Sequence, residues 1–414
     1  IGLIALEQTT RLTGGYDLFF KEVTKMHKVN LPLGTRDGFG KREARKYYIK
    51  AKIEKTLLEN NFMKVSTPLL EHKEVFAEFD LKQLGTYQLL DSNDDSLILR
   101  PDLTLPLARF LATNNVKLPQ RFYYVGERFK ISKALSGKYN QMTQAGIEIV
   151  GYPSIRAELE CMLLINQISA EFLQGKVQIE LGHAQFANAI LDELTQDEIL
   201  KKKIKTELFR KNMPKYLAYI SVFKDRKEYE FLEKWPRLFG NISWVLRKIK
   251  EYELPEEAQR IINELTQITS WLEQLPKQKV LLDLSVAPPQ NYYTGITFKG
   301  FIESISEYVF SGGRYDQLLE NFQEQAEPAV GMGIDLEILA DFSDISIQKE
   351  KKDLLYYQPE QLGFVNKILT KRGFELSMED DLKKAFIAAQ KQNTKLYRID
   401  TGGNLQNVTE DCFD

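Results

Sequence analysis

Cysteine is scarce in this sequence: Cys161 and Cys412 stand far apart, in no CxxC or Cys/His spacing, so neither a disulfide framework nor a zinc site is implied. A reducing cytoplasm is the expected compartment. Histidine is scarce too, and His27, His72 and His183 show neither triad nor metal spacing, so no catalytic role, metal or cofactor is assigned to them. No apolar run approaches the roughly 18 residues that a membrane helix needs. The opening IGLIAL is too short for a signal core and lacks a basic leader, so no membrane association is expected. Charge of one sign is also missing: 56 Lys and Arg oppose 58 Asp and Glu, a formal net charge of -2. Such a balance creates no global field for a polyanion, and nucleic acid is not an expected partner.

What is present is an ordinary globular composition, with 43% hydrophobic residues in a 414-residue chain, enough for two or three domains. Residues 1–30 are set aside as an N-terminal extension of uncertain origin. LPLGTRDG from Leu31 reads as a turn, and the stretch after it carries Ile49, Ile53 and Leu57 at helical spacing. TYQLLDSNDDSLILRPD is two apolar runs around a polar turn, a hairpin signature. RFYYVGERFK and MTQAGIEIVG are β-rich runs joined by a charged loop. Between about 186 and 275 the text turns helical and charged, the pattern of an insertion, and its basic run Lys201 to Lys205 reads as a solvated helix face. Strands return in VLLDLSV, NYYTGITFKGF and SEYVFSGG, followed by RYDQLLENF as a helix and VGMGIDLEILADF as a strand entering a helix. The expected class is α+β, an antiparallel sheet flanked by helices over 31–345. Residues 350–414, alternating strand, helix, helix, strand, form a small C-terminal α/β module.

LPLGTRDG, LILRPDLTLPLAR, VGERFK with GKYNQMTQAGIEIVG, NYYTGITF, FSGGRYDQLL and VGMGIDLEIL resemble, in order and spacing, the blocks of class II histidyl-tRNA synthetases. The resemblance spans about residues 31–340 and implies the class II sheet, a dimer and a helical insertion. It also implies where chemistry has been lost. Adenylation needs fixed positive charge around a reacting phosphate, a task suited to planar arginine forks. The three arginines of the family pattern fall here on Lys130, Pro288 and Ile338, a degenerate ATP site.

The amino-acid pocket of the family pattern is retained. Asp102, Thr104 and Gln144 occupy the positions that receive a substrate ammonium, and Glu148, Tyr292 and Tyr293 those that address an imidazole. Carboxylate, amide and phenol are fitting partners for those donors and acceptors. Each residue also has a plainer reading: Glu148 as a solvated strand residue, the tyrosines as sheet packing, Asp102 as a turn or helix cap. Arg314 reads equally as structural or ligand-facing. Asp102 is a methylene shorter than the glutamate of the pattern, Leu103 replaces its glycine, and Pro288 removes the partner of the ligand carboxylate.

A histidyl scaffold that keeps this pocket and loses the arginines resembles the regulatory-subunit group of ATP phosphoribosyltransferases. Membership would imply a non-catalytic chain working with the short-form ATP phosphoribosyltransferase catalytic subunit in histidine biosynthesis. Histidine would be the feedback effector, and the chain would self-dimerise within a hetero-oligomer. The alternatives are an active histidyl-tRNA synthetase and a free-standing tRNA-binding paralogue.

Overall fold

A computed structural model describes residues 29–77, 85–132, 137–275, 279–303, 305, 307–347, 351–371 and 373–413. The N-terminal extension up to residue 28, with His27, and residues 133–136 of the charged loop lie outside the described residues. The chain divides into two units, the first ending at Ile345 and the second beginning at Ser346.

The strands of the first unit are β1 (Met63–Lys64), β2 (Leu70–His72), β3 (Tyr87–Leu90), β4 (Ser96–Leu99), β5 (Gln120–Phe129), β6 (Gln141–Val150), β7 (Val177–His183), β8 (Phe239–Asn241), β9 (Lys279–Asp283), β10 (Ile296–Ile302), β11 (Tyr308–Arg314) and β12 (Ala329–Asp335). Its helices are α1 (Gly40–Glu59), α2 (Thr104–Asn114), α3 (Arg156–Phe172), α4 (Phe186–Leu194), α5 (Glu198–Phe209), α6 (Met213–Ile220), α7 (Tyr229–Lys234), α8 (Ile242–Ile249), α9 (Glu256–Leu272) and α10 (Leu336–Phe342). Nine strands form one sheet in the order β1-β5-β6-β12-β11-β10-β7-β9-β8. The sheet is mixed: β1 pairs with β5 and β7 with β9 in parallel, while the central pairings are antiparallel. The class is α+β, as the sequence predicts.

Two cores form on the sheet. One gathers Ile49, Ile53 and Leu57, one stripe of α1, with Ile165 and Ile168 of α3 and the apolar side of the helical segment 186–272. Spacings of three and four residues put these side chains on one helix face, which is why the periodicity is readable. The other core packs Leu105, Leu107 and Leu111 of α2 against Phe122, Tyr124, Tyr293 and Tyr315, and Tyr124, Tyr293 and Tyr315 also line a cavity on this side. β2, β4 and β3 make a small separate sheet, with β3 and β4 paired as the expected hairpin around Asp91 to Asp95.

Several expectations differ from the structure. RYDQLLENF is not a helix: β11 continues through Arg314, and only a 3₁₀ turn follows, at Leu318–Asn321. NYYT lies in a loop before β10, because Tyr292 and Tyr293 are spent on packing rather than on a ladder. The basic run of α5 is not one solvated face: Lys201 is buried, reaching Asp192 at 2.6 Å, and Lys205 donates to Asn188 at 2.8 Å, so both tie α5 to α4. Lys202 and Lys203 alone are exposed. In the second unit β13 (Leu354–Tyr356), α11 (Leu362–Leu369), β14 (Glu375–Leu376), α12 (Leu382–Gln392), β15 (Leu396–Ile399) and β16 (Leu405–Val408) build a sheet in the order β14-β13-β15-β16. Two strands join those expected there.

Candidate functional site

Strand alternation builds the site. Tyr124, Arg128 and, just beyond β5, Lys130 are an even number of residues apart and share one face, as do Gln144 and Glu148 on β6 and Gly331, Gly333 and Asp335 on β12. The start of α2 and the loop 289–293 roof this face. Between them lies a cavity of about 110 Å³ whose lining includes Asp102, Thr104, Gln144, Tyr292 and Tyr293. Five of the six residues assigned to the amino-acid pocket therefore meet around one space.

Asp102 carries both readings at once. Its Oδ1 accepts from the backbone N–H groups of Thr104 at 2.8 Å and Leu105 at 2.9 Å, which caps α2, while Oδ2 lies 3.4 Å from the Tyr292 hydroxyl. Burial pushes its pKa up, against the pull of those two amides. The rings of Tyr292 and Tyr293 meet edge to face at 5.2 Å, and Tyr292 meets Tyr315 in the same way at 5.6 Å.

Glu148 is the sixth assigned residue, and it does not line the cavity. Only 1% exposed, it lies behind the wall, where Oε1 accepts from the Thr104 hydroxyl at 2.7 Å and the Tyr124 hydroxyl at 2.9 Å and Oε2 accepts from the Tyr315 hydroxyl. Three hydroxyls thus converge on one carboxyl group. Burial raises its pKa from 4.5 to about 7 despite the three hydrogen bonds that favour the charged form. Thr104 donates its proton to Glu148 and lines the cavity, where its hydroxyl also neighbours those of Tyr124 and Tyr292. β12 approaches closely: a Cβ at Gly331 would fall 1.8 Å from Oε2 of the hydroxyl-anchored Glu148, which demands glycine, and one at Gly333 would fall 2.2 Å from Gln144 Nε2, which would have to swing aside.

The three positions expected to form a degenerate ATP site separate. Lys130 lines the cavity. Pro288 is half-buried just ahead of the loop, whose Pro289 and Gln290 do reach the cavity. Ile338 sits on α10, packed against the large core. Glu337 beside it is fully engaged, accepting from Arg42 at 2.8 Å, Lys46 at 3.2 Å and the Thr143 hydroxyl at 3.0 Å, with Arg36 as a further donor. Arg314 is structural: its Nε and Nη2 grip the fully buried Glu158 at 2.6 and 2.7 Å. Of the other histidines, His72 is exposed on β2, and His183 lies 3.7 Å from Glu264, away from the cavity.

Sequence reasoning missed Tyr124, Arg128, Tyr315 and Asp335. Period-two spacing from Lys130 back through Arg128 to Tyr124 was the available signal for two of them. Tyr315 follows Arg314 in a block already singled out. Asp335 carried no such signal, since an acidic residue ending a strand reads as a helix cap, and its Oδ1 does accept from Glu337 and Ile338, each at 3.0 Å.

The histidyl-tRNA synthetase family model matches residues 34–339. The chain is 43% identical over 384 residues to the ATP phosphoribosyltransferase regulatory subunit of Lactiplantibacillus plantarum, covering 92% of this chain and 100% of that protein. It is 38% identical over 383 residues to the subunit of the same name from Limosilactobacillus fermentum, covering 92% and 99%. Among solved structures, an ATP phosphoribosyltransferase regulatory subunit/histidyl-tRNA synthetase from Bacillus halodurans superposes with a TM-score of 0.75 at 22% identity, covering 87% of this chain and 96% of that one. Histidyl-tRNA synthetase from Nostoc superposes with a TM-score of 0.70 at 19% identity, covering 93% and 97%. At those identities the likeness establishes the fold.

Proposed function

This chain belongs to the histidyl-tRNA synthetase family and, within it, to the ATP phosphoribosyltransferase regulatory subunits. From that membership we propose that it performs no adenylation itself, assembles with the short-form catalytic subunit and senses histidine in the cavity beneath α2. The observation that carries the reading is 43% identity over almost the whole chain to a regulatory subunit, joined to a sequence with no arginine at 130, 288 or 338. In the proposed pose the ligand ammonium meets Asp102, Gln144 and the Thr104 oxygen, and the imidazole lies against Tyr292 and Tyr293. Glu148 acts one layer back, fixing the hydroxyls of Thr104, Tyr124 and Tyr315.

Inhibition of a partner subunit through this cavity is a coupling free energy between distinct sites, typically about 1–3 kcal/mol and reciprocal for binding. A dimer within a larger complex is proposed as well, supported by the exposed Leu70, Leu89 and Leu90 on the small sheet.

The test is reconstitution with the short-form catalytic subunit. Phosphoribosyl transfer should depend on this chain, and histidine should inhibit it. Glu148→Ala should move the inhibition curve to higher histidine, roughly tenfold or more, while turnover without histidine changes little. Transfer indifferent to this chain would refute the assembly, and an unshifted curve would refute the sensor. Histidine-dependent ATP/pyrophosphate exchange by the isolated chain would restore the synthetase alternative.

A further inference from the structure

Among the described residues, Arg128 is a poorly satisfied charged group of the cavity wall. Its guanidinium carries five N–H donors. Nη2 reaches only the Met142 thioether, at 3.5 Å, a weak acceptor, and stands 3.9 Å from Asp335 Oδ2, beyond hydrogen-bond range. Nε is buried without any hydrogen-bond partner. Two residues on, Lys130 lines the same cavity, and its pKa is lowered by burial and then by the Arg128 charge beside it. Buried donors left unpaired are costly, and two cations facing one space repel, so an anion between them would relieve both.

The opposite charge is fixed at the same cavity by Asp102, which feels both Arg128 and Lys130. A polyanion would meet two carboxylates here, Asp102 and Asp335. A molecule with an ammonium and a single carboxylate on one carbon brings less negative charge near Asp335 and gives Asp102 a cation.

We propose that Arg128, backed by Lys130, receives the α-carboxylate of a zwitterionic amino acid whose ammonium rests on Asp102. Arg128 thereby takes over the task left vacant by Pro288 and makes the cavity select amino acids over their decarboxylated or reduced analogues. This assignment rests on the histidine-sensing reading above. Among the described residues, the acidic groups near Arg128 are Asp335, 3.9 Å from Nη2, and Asp102 across the cavity.

Calorimetric titration of the full chain with L-histidine and with histidinol, which keeps imidazole and ammonium but carries an alcohol for the carboxylate, separates the outcomes. The unaltered chain should bind histidine at least tenfold tighter than histidinol. Arg128→Met should lose most of that preference by weakening histidine alone, and Lys130→Met should show a smaller loss of the same kind. Arg128→Lys, which keeps the charge and disturbs packing least, should fall between and serves if the methionine variant does not fold. Equal binding of both ligands by the unaltered chain, or equal weakening of both by Arg128→Met, would overturn the carboxylate assignment and leave histidine sensing standing. Binding of neither ligand would overturn both.

Discussion

Glu148→Gln should change how the stability of the first unit depends on pH. The buried carboxyl of Glu148 has its pKa raised from 4.5 to about 7 in the folded chain. A displacement of that size, at about 1.4 kcal/mol per unit, corresponds to a contribution on the order of 3 kcal/mol. The sign follows from proton binding: between these two values the folded state holds a proton that the unfolded state has released. The contribution is therefore fully present below about 4.5 and is lost as pH rises through about 7. Glutamine is neutral throughout, so the variant should escape this loss. Asp102 and Asp335 have raised pKa values too, Asp335 to about 6, but both proteins share them and they largely cancel in the difference. Urea unfolding followed by tryptophan fluorescence suits the measurement, because all three tryptophans, Trp235, Trp244 and Trp271, lie in the same unit as Glu148. Between pH 5 and 8 the unaltered chain should lose stability relative to Glu148→Gln by as much as about 3 kcal/mol. Parallel profiles over that window, or a steeper fall in the variant, would refute a carboxyl held neutral by burial.

Two further substitutions test the wall behind the cavity. Arg314→Met leaves Glu158 buried and unpaired and should destabilise the first unit by about 3–5 kcal/mol in the same urea assay, whereas a surface role would cost less than about 1 kcal/mol. Gly331→Ala drives a methyl group into the Glu148 carboxyl; it should cost about 1–3 kcal/mol, and infrared difference spectra across pH 5–8 should show the Glu148 carboxyl titrating away from its native midpoint.

The blocks made of contiguous residues were legible in the sequence, because a helical stripe such as Ile49, Ile53 and Leu57 or a hairpin such as β3–β4 is a local pattern. The five residues that do line the cavity were legible for a different reason, the family pattern, which fixes positions but not directions. Glu148 shows the limit. Its place in the pattern suggested an imidazole partner, yet which way its carboxyl faces depends on Gly331 across β6–β12 and on three hydroxyls from α2, β5 and the residue after β11. Those elements come together only in the folded sheet. Lys201 was misread for a similar reason: a run of lysines carries no sign that α4 will present Asp192 to its first member.

The residues at the three positions where the family resemblance expects arginine bear on what the cavity can hold. Lys130 keeps a point charge, Pro288 stands without charge just ahead of the loop 289–293, and the half-buried Ile338 side chain packs against the large core. Meanwhile Asp335 has brought a carboxylate to the same wall. Two unit charges of like sign about 4 Å apart repel by roughly 4 kcal/mol at the effective dielectric of such a site. A triphosphate placed there would face Asp335 and Asp102 with Arg128 and Lys130 as its cations. A ligand with one positive and one negative group meets Asp102 on one side and Arg128 with Lys130 on the other. The charge pattern therefore favours an amino acid over a nucleotide, independently of the names of related proteins.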